Sequence, residues 1–527
     1  MAISIREPCD EGVIRSGRVT SPCPKSSGKW ILAATILGSS LAFIDGTVVN
    51  VALPALQEDL KATVAGLQWV IESYALLLAA LLLVGGSMGD RYGRRRIFVI
   101  GVAVFASASA GCGFASNIGQ LIAARAVQGI GAALLVPGSL AIISNSFSEE
   151  DRGRAIGTWS GFSAITAAIG PMLGGWLVEA VSWRAVFFIN IPIAILAIAI
   201  SFVHVPESSN AAKERLDSVG GILATLGLGA LVYGLIESSS RGLTYPAVLA
   251  ALISGIVLLA LFVFVEARSQ NPMLPLVLFR SRTFTGANLL TFLLYGALGG
   301  TLFFLPLNLI QVQRYSPTAA GAALLPLILI IFLLSRWSGA LVQKCGARIP
   351  LVAGPLIAAV GFVLFVLPGV GGSYWTTFFP AVVVLGVGMA VSVAPLTTTV
   401  MSSVARGRAG VASGINNAVS RAAGLLAIAV LGIVMLHIFN RSLSSHLSRL
   451  DVSPSIRQFL NANRNSLAGV ALPESIPAQT REFLTDAINH SFIDGFRWVM
   501  LTGAGLALGS AATALLLIRR HSASSAL

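Results

Sequence analysis

Asp45, Glu72, Arg125 and Arg421 are charged residues that interrupt otherwise apolar stretches of this 527-residue chain. Asp45 stands in the string LAFIDGTVVNVALP (41–54), about 22 Å along a helix if the apolar run begins near residue 31. A carboxyl group in hydrocarbon must be paired, solvated or protonated, because an isolated charge there is costly. Asp45 is therefore a candidate for taking up and releasing a proton. The alternative is a structural acid bonded to a neighbouring helix.

Glu72 lies in the string QWVIESY (68–74), a turn or two inside the next apolar run. It could be a second proton site, a counter-charge for a cationic substrate, or an acid that reaches the membrane interface. Trp69 and Tyr74 beside it fit either an interfacial aromatic belt or a wall on which substrates stack.

Arg421 lies near the middle of a late apolar run, in the string GVASGINNAVSR (410–421). An arginine at that depth should face the protein interior and have a partner. Asn417 is one turn away, and Glu72 or Asp45 could provide the counter-charge across a cavity; a structural pair between two bundles is the alternative. If Arg421 lines a cavity, it argues against a site tuned purely for cations.

The composition requires a solvent other than water for much of the surface. Hydrophobic residues make up 55% of the chain and charged residues 11%, and the mean hydropathy is +0.83. Soluble domains contain about 25% charged residues, so this chain has too few to cover a water-exposed surface. The net charge of +13 is carried largely by short loops between apolar runs. No basic stripe with interleaved aromatics is present, so we expect no nucleic-acid partner.

Fourteen apolar runs are long enough to cross a bilayer as helices. The sequence therefore predicts an all-α polytopic membrane protein with spans at about 31–54, 67–88, 97–115, 121–144, 156–179, 185–203, 218–237, 246–266, 286–311, 318–341, 349–368, 376–400, 410–436 and 497–518. Lys and Arg number 22 in the tails and the loops on the N-terminal side. The short loops opposite contain four: Lys61, Arg184, Arg241 and Arg314. Both termini are thus predicted to be cytoplasmic.

An internal repeat divides the chain into two halves. The string GSMGDRYGRRR (86–96) recurs as GALVQKCGAR (339–348), with its glycines at a constant offset of 253 residues. We expect two six-helix bundles, 30–204 and 284–519, joined by two inserted helices and their loops (205–283). A disordered cytoplasmic tail (1–29) and a short C-terminal tail (520–527) complete the chain. The second half includes a long polar extracytoplasmic segment, 437–496. Repeated bundles predict a substrate site at their interface and alternating access by rocking.

The loop at 86–96 resembles the signature loop of the major facilitator superfamily. The resemblance implies that Gly86, Asp90, Arg91, Gly93 and Arg94 form a cytoplasmic gate, in which Asp90 and Arg91 act as a latch. Gln343 replaces the acid in the second copy, so we expect a weaker or different latch there.

Three more strings resemble the fourteen-span drug:proton antiporters of that superfamily, the EmrB/QacA type. They are D-x-T-x-x-N-x-A-L-P from Asp45, R-x-x-Q-G-x-G-A-A from Arg125, and the antiporter motif GPMLGG with Gly170, Pro171, Gly174 and Gly175. The resemblance implies that Arg125 sits near Asp45 and promotes its ionisation, although snorkelling to the outer interface is the alternative. Gln128, one turn further on, could bond either partner.

These patterns together predict a proton-coupled exporter of drugs, antiseptics or other small amphipathic toxic compounds. The alternatives are a narrow-specificity metabolite, siderophore or sugar transporter and, from another class, a membrane sensor or enzyme. No H-E-x-x-H, G-x-S-x-G or Walker A string is present, so we expect no enzymatic activity. Four cysteines without ligand spacing predict no metal site. We expect no cofactor, a monomer in the inner membrane, and small-molecule and lipid partners. The segment 437–496 either docks a periplasmic adaptor or covers the outer mouth.

Overall fold

The computed structural model describes residues 25–147, 149–209, 217–269, 272–404, 409–448, 453–473 and 475–518, and in these ranges it contains helices and no strand. Most of the predicted N-terminal tail and all of the predicted C-terminal tail lie outside the described residues. The first helix begins at Lys25, so residues 25–29 are part of it and do not belong to a disordered tail.

Each of the fourteen predicted apolar runs coincides with a helix. These helices are α1 (Lys25–Leu60), α2 (Val64–Tyr92), α3 (Arg94–Gly113), α4 (Ile118–Ser146), α5 (Glu149–Ala180), α6 (Asn190–His204), α7 (Ser218–Arg241), α8 (Pro246–Arg268), α9 (Arg282–Leu307), α10 (Leu325–Cys345), α11 (Arg348–Leu364), α12 (Phe379–Ser402), α13 (Ala409–Ser448) and α14 (Ala478–Leu517). Short helical pieces lie at Ala185–Phe188, Asn308–Val312, Pro317–Ala323 and Tyr374–Thr377.

Thirteen helical segments in the described residues are long and apolar enough to cross a membrane. The fourteenth, α11, has 17 residues, or about 25 Å of rise, which is at the lower limit for a spanning helix. The inner end of the protein is defined here as the end that holds the first residue of α1, and the outer end is the opposite one. Because the helices alternate in direction, α14 finishes at the inner end.

The helices form two bundles, α1–α6 and α9–α14, with α7 and α8 between them. In the first bundle α4 packs against α2 and α3, and in the second α11 packs against α12 and α14. The inserted helix α7 contacts α2 of the first bundle and α13 of the second, whereas α8 packs mainly on α7. Side chains such as Ile253 and Ile256 leave most of the α8 surface apolar and exposed.

The repeat predicted from the two loops is visible in the backbone. Gly93 and Gly346 both have positive φ, 108° and 74°, a conformation that glycine adopts without steric cost. Two residues later, Arg95 donates to the backbone carbonyl of Val205 after α6. Its repeat equivalent, Arg348, donates to the carbonyl of Leu515 near the end of α14. Each loop therefore ties its own bundle to its last helix in the same way.

The segment 437–496 is not mainly a polar loop. Helix α13 continues to Ser448 and α14 already begins at Ala478, so both helices extend beyond the apolar runs that predicted them. Between them lie a short helix, Pro454–Ala462, and a 3-10 helix, Arg464–Gly469. The prediction counted polar residues as loop, but buried apolar residues such as Phe439 and Leu484 hold the two extensions together.

Candidate functional site

Asp45 and Arg125 form a buried ion pair inside the first bundle. The Asp45 carboxylate is 0% exposed and accepts a hydrogen bond from Nη1 of Arg125, which is 1% exposed. A charged pair without solvent is stable only when its remaining donors and acceptors are satisfied. Here Arg125 also donates from Nε to the carbonyl of Val70 on α2, at 3.0 Å. The structure thus places Arg125 against the acid, and its side chain does not snorkel to an interface.

Polar side chains from neighbouring helices complete this network. Gln128 donates to Oδ1 of Asp45 at 2.8 Å and accepts from Arg125 at 2.7 Å. Asn190 on α6 donates to the same carboxylate oxygen at 3.3 Å and to Ser109 on α3 at 3.0 Å. Asp45 therefore has a donor on each oxygen, and every donor comes from the first bundle.

Sequence reasoning missed Asn190 and Ser109. A signal was available, because Asn190 is a single amide in the apolar string AVFFINIPIAILAIAI (185–200). A buried amide needs partners inside the membrane. Without the fold, however, nothing in the string shows that its partner is Asp45, 145 residues earlier.

Small residues in α4 allow the network to assemble. A Cβ atom on Gly129 would lie 2.4 Å from the carbonyl oxygen of Tyr74 on α2, and one on Gly131 would lie 2.6 Å from the backbone nitrogen of Phe105 on α3. Close approach of helix backbones through small residues is a common device of membrane bundles. The glycines after Gln128 therefore bring α2, α3 and α4 close enough for their polar groups to share Asp45.

Three of the predicted cavity residues lie elsewhere. Gln128 is 0% exposed within the Asp45 network, and the ring of Trp69 packs on Tyr233 of α7 with 6.2 Å between centroids. Tyr74 is also buried: its ring lies 4.3 Å from the guanidinium carbon of Arg125. Tyr74 and Gln128 therefore do not form an open wall for a substrate. Trp69 is partly exposed and lies against the inserted helix α7, which the prediction did not position.

Glu72 is 0% exposed. Neither of its carboxylate oxygens has a hydrogen-bond partner among the described residues. It does not reach the interface, and it forms no ion pair with Arg421 in the described part of the chain. A buried, unpartnered carboxyl is stable only in its neutral form, because burying an uncompensated charge is far costlier.

Arg421 and Asn417 lie on α13 of the second bundle. Arg421 is half-buried, and no hydrogen bond or ion pair connects it to any residue that the structure describes. Asn417, one turn closer to the inner end, is exposed and donates to the carbonyl of Ser413 in its own helix. Of these two predicted cavity residues, only Asn417 is fully exposed.

The predicted gate loop makes contacts within its own bundle. Asp90 pairs with Arg94, one turn later, at 2.7 Å, and Arg91 lies over the ring of Tyr92. Gly86 packs near Pro137 of α4. A residue that the prediction missed holds the loop: Glu207 accepts the backbone N–H groups of Arg95 and Arg96 at 3.1 Å each. A carboxylate at these first amides of α3 also complements the helix dipole.

The predicted antiporter motif connects three helices at the outer end. Cβ atoms on Gly170 and Gly174 would collide with Thr47 and Val48 of α1. A Cβ on Gly175 would lie 2.2 Å from the carbonyl oxygen of Pro317, in the short helix before α10. Pro171 closes the same contact from the other side, because its carbonyl oxygen lies 2.0 Å from the Cβ position of Gly321.

The two bundles meet at the outer end and separate toward the inner end. Outer contacts include the pair Gln57–Gln311 and the bond from Gln68 to the carbonyl of Ile428 at 2.9 Å. Toward the inner end of α5, no neighbouring atom lies within 4 Å of the Cβ position of Gly157 or Gly161. In the described part of the chain, the contacts between the bundles named above lie at the outer end, which is an inward-open arrangement, and the partly buried Arg421 lies inward of them.

The comparisons with known proteins agree with this fold. A family model described as Major Facilitator Superfamily matches residues 35–428. The multidrug resistance protein Stp of Mycobacterium tuberculosis is 35% identical over 482 residues, covering 89% of this chain and 88% of Stp. The tetracenomycin C resistance and export protein of Streptomyces glaucescens is 32% identical, covering 95% of this chain and 94% of its own.

Solved structures show the same architecture at lower identity. A bacterial homologue of the human lysosomal transporter Spinster, in an inward-facing and occupied conformation, superposes with a TM-score of 0.66 at 16% identity. That match covers 94% of this chain and 97% of the other. The inward-open xylose transporter XylE of E. coli superposes with a TM-score of 0.56 at 13% identity, over 94% and 97% of the two chains.

The chain is thus a multi-pass integral membrane protein of the transporter class, with two six-helix bundles and two helices inserted between them. It belongs to the major facilitator superfamily.

Proposed function

We propose that this protein is a proton-coupled secondary exporter of drugs, antiseptics and other small amphipathic toxic compounds. The observation that carries the proposal is the buried ion pair of Asp45 and Arg125, enclosed by donors from one bundle. Relatives named for multidrug resistance and for resistance to tetracenomycin C support the direction of transport.

The pair provides a mechanism for coupling. In the inward-open state Asp45 is paired with Arg125, the arrangement that follows release of a proton toward the inner side in this mechanism. Protonation of Asp45 removes the attraction and frees the guanidinium, which changes the packing of α1 against α4. Because protonation and substrate binding favour different orientations of the bundles, each opposes the other. Proton flow down its gradient then offsets uphill export.

Glu72 is a second proton site in this proposal. In the inward-open state it is buried and has no hydrogen-bond partner among the described residues. Gln68, one turn away, holds α2 to α13. When the bundles separate at the outer end, that contact breaks and water reaches Glu72. Glu72 can then exchange a proton with the outer side, which is the side from which a proton-driven exporter takes up its protons.

The remaining features complete the proposal. We infer an inner-membrane location with both termini in the cytoplasm, from the excess of Lys and Arg at the inner end. The transporter acts as a monomer and needs no cofactor, because the proton gradient drives it. Asp90, Arg91 and Arg94 form the inner gate when the bundles close there. An adaptor, where one takes part, docks on the outer extensions of α13 and α14.

The test measures efflux from drug-pump-deficient cells that express this chain. Three preloaded dyes are compared, with and without a protonophore: cationic ethidium, neutral Nile red and anionic fluorescein. The variant Asp45→Asn keeps the size and the polar contacts of the site but cannot exchange a proton. Asp59→Asn is the matched control, because Asp59 lies on the same helix and pairs with Arg184 on the exposed outer surface.

Protonophore-sensitive efflux of at least one dye, lost in Asp45→Asn and retained in Asp59→Asn, supports the proposal. Export that persists in Asp45→Asn with its proton dependence intact rules out the coupling role of this pair. Absence of efflux for all three dyes, with the protein verified in the membrane, favours the narrow-specificity alternative. Relatives named for a single antibiotic, such as the probable actinorhodin transporter of Streptomyces coelicolor, are consistent with that alternative.

A further inference from the structure

Arg421 lies where α13 separates from the first bundle. Gln68 of α2 packs against Ile428 and Gly432 of α13. Arg421 is two helical turns inward from Ile428, and a spacing of seven residues keeps both on nearly the same face of a helix. Arg421 therefore continues the surface that joins the bundles, at the level where the inner opening begins.

The neighbours of Arg421 on α13 leave it without a partner. Asn416 points to the other side of the helix, where its amide donates to Asn288 and Thr291 of α9. Asn417 donates to its own helix. On the facing helix α2, Tyr74 is near enough to Arg421 for an electrostatic interaction, but no hydrogen bond between the two is present among the described residues. The guanidinium is partly buried, and no described residue accepts a hydrogen bond from it.

The charges around the opening do not balance. Asp45 and Arg125 compensate each other, and Glu72 has no ion pair with Arg421 among the described residues. Arg421 is ionised at any physiological pH. In the inward-open state, the middle of the membrane-embedded opening therefore has one uncompensated positive charge. Such a charge is costly there unless water or a ligand provides a counter-charge.

We propose that Arg421 is the substrate-charge selector of this transporter and binds an acidic oxygen on the transported compound. The substrate class is amphipathic ring compounds with a carboxylate, phenolate or enolate, with neutral compounds accepted less well and permanent cations disfavoured. A guanidinium presents a planar fork of donors that fits two oxygens at once. The amide of Asn417, one turn further inward, is placed to bind a second polar group. The proposal rests on the proposed function and names the substrate class of that same site.

Exchange of an anion for a proton also fits the energetics of the membrane. When an anion leaves and a proton enters, both movements carry positive charge inward. A membrane potential that is negative inside therefore drives both steps. A cationic substrate would cancel this contribution, because its exit moves positive charge outward. An arginine that favours anions thus favours the substrates whose export is driven most strongly by the membrane potential.

The test is direct binding to the purified full-length protein in lipid nanodiscs, so that it depends on neither proton coupling nor turnover. Fluorescence anisotropy gives dissociation constants for fluorescein, Nile red and rhodamine 123, which are an anion, a neutral dye and a cation. The variants are Arg421→Gln, which removes the charge, and Arg421→Lys, which keeps the charge but removes the fork. Arg441→Gln is the matched control, because Arg441 is an exposed residue on the same helix.

We expect the wild type to bind fluorescein more tightly than rhodamine 123. Arg421→Gln should weaken fluorescein binding by about 10- to 100-fold, the range for a charge-assisted contact, and leave Nile red within about threefold. Arg421→Lys should retain part of the affinity for fluorescein, and Arg441→Gln all of it. Equal weakening of all three dyes in Arg421→Gln would show a structural role and overturn the proposal. So would a wild type that prefers rhodamine 123. The wild-type ranking needs no variant to fold, and it is independent of whether export is coupled to protons.

Discussion

Gln57 and Gln311 are joined by a hydrogen bond of 2.7 Å between their side-chain amides, at nearly equivalent positions of the two repeated halves. Gln57 lies on α1, and Gln311 lies in the helical turn after α9. The nitrogen of the Gln57 side-chain amide donates to the carbonyl of Ser466 at 2.9 Å. Ser466 lies in the segment between α13 and α14. The bond crosses the interface between the bundles, so it must break when the outer end opens.

Replacing Gln311 by alanine should shift the protein toward the outward-open state. One buried hydrogen bond contributes about 1 kcal/mol, so the ratio of the two states should change about fivefold. The measurement is the distance distribution between spin labels at the inner ends of α5 and α10, in which the short-distance population should grow. Gln313→Ala is the control, because Gln313 bonds only within the second half, to Asn308 and the 369–371 turn. An equal shift in both variants would contradict the assignment.

Removal of one member of the buried ion pair should destabilise the protein more than neutralising both. Arg125→Ala leaves the Asp45 carboxylate without its cation, and loss of one partner of a buried pair costs about 3–5 kcal/mol. The double variant Asp45→Asn/Arg125→Gln should melt at a higher temperature than Arg125→Ala in detergent. If Arg125→Ala melts like the wild type, the pair makes no net contribution to folding.

The glycines of α5 should respond to alanine according to their position. Gly175→Ala places a methyl group against the carbonyl of Pro317, so it should open the outer contact and reduce export. Gly161→Ala should leave the inward-open state unchanged, because the Cβ position has no neighbour within 4 Å. Accessibility of a single cysteine at the outer end of α10 to a water-soluble maleimide reports the difference. Identical labelling of the two variants would show that the motif does not close the outer end.

Loss of the Glu207 carboxylate charge should loosen the inner loop without affecting the outer contacts. Glu207→Gln weakens two bonds from the backbone amides that begin α3, and loss of a helix cap costs about 0.5–2 kcal/mol. Hydrogen exchange of the Arg95 and Arg96 amides should accelerate, while exchange in α4 stays unchanged. Glu482→Gln, on the exposed part of α14, should have no effect on either. Unchanged protection in Glu207→Gln would exclude this role for the side chain.

Much of the fold follows from the sequence because the bilayer imposes simple rules. Apolar runs of about 20 residues must become helices, since every backbone polar group has to be satisfied within its own segment. The loop that contains Gly93 recurs in the loop that contains Gly346, and this repeat predicts two homologous halves. The extensions of α13 and α14 could not be predicted in this way, because their residues are polar on one side and are ordered by packing against each other in the outer segment.

The candidate site was predictable only in part, for a related reason. Asp45 and Arg125 stand out because a charge in hydrocarbon requires an explanation. Asn190, Glu207 and Gln57 are ordinary residues whose partners lie far away in sequence, and only the folded chain shows them. Trp69 shows a further limit: its type fits a substrate wall or an interfacial belt, and only the fold shows that its ring lies against Tyr233 of α7.

The inserted helix α7 makes the two sides of the molecule unequal. Two bundles that separate at one end create two slits facing the lipid, one on each side. On the side of α2 and α13, α7 fills the slit with Val232 and Ile236, which pack against Leu76 and Leu425. On the side of α5 and α10, no comparable helix is present in the described residues. Acyl chains, and any compound dissolved among them, therefore meet an inserted helix on one flank, and on the other the direct contact between α5 and the segment that leads into α10.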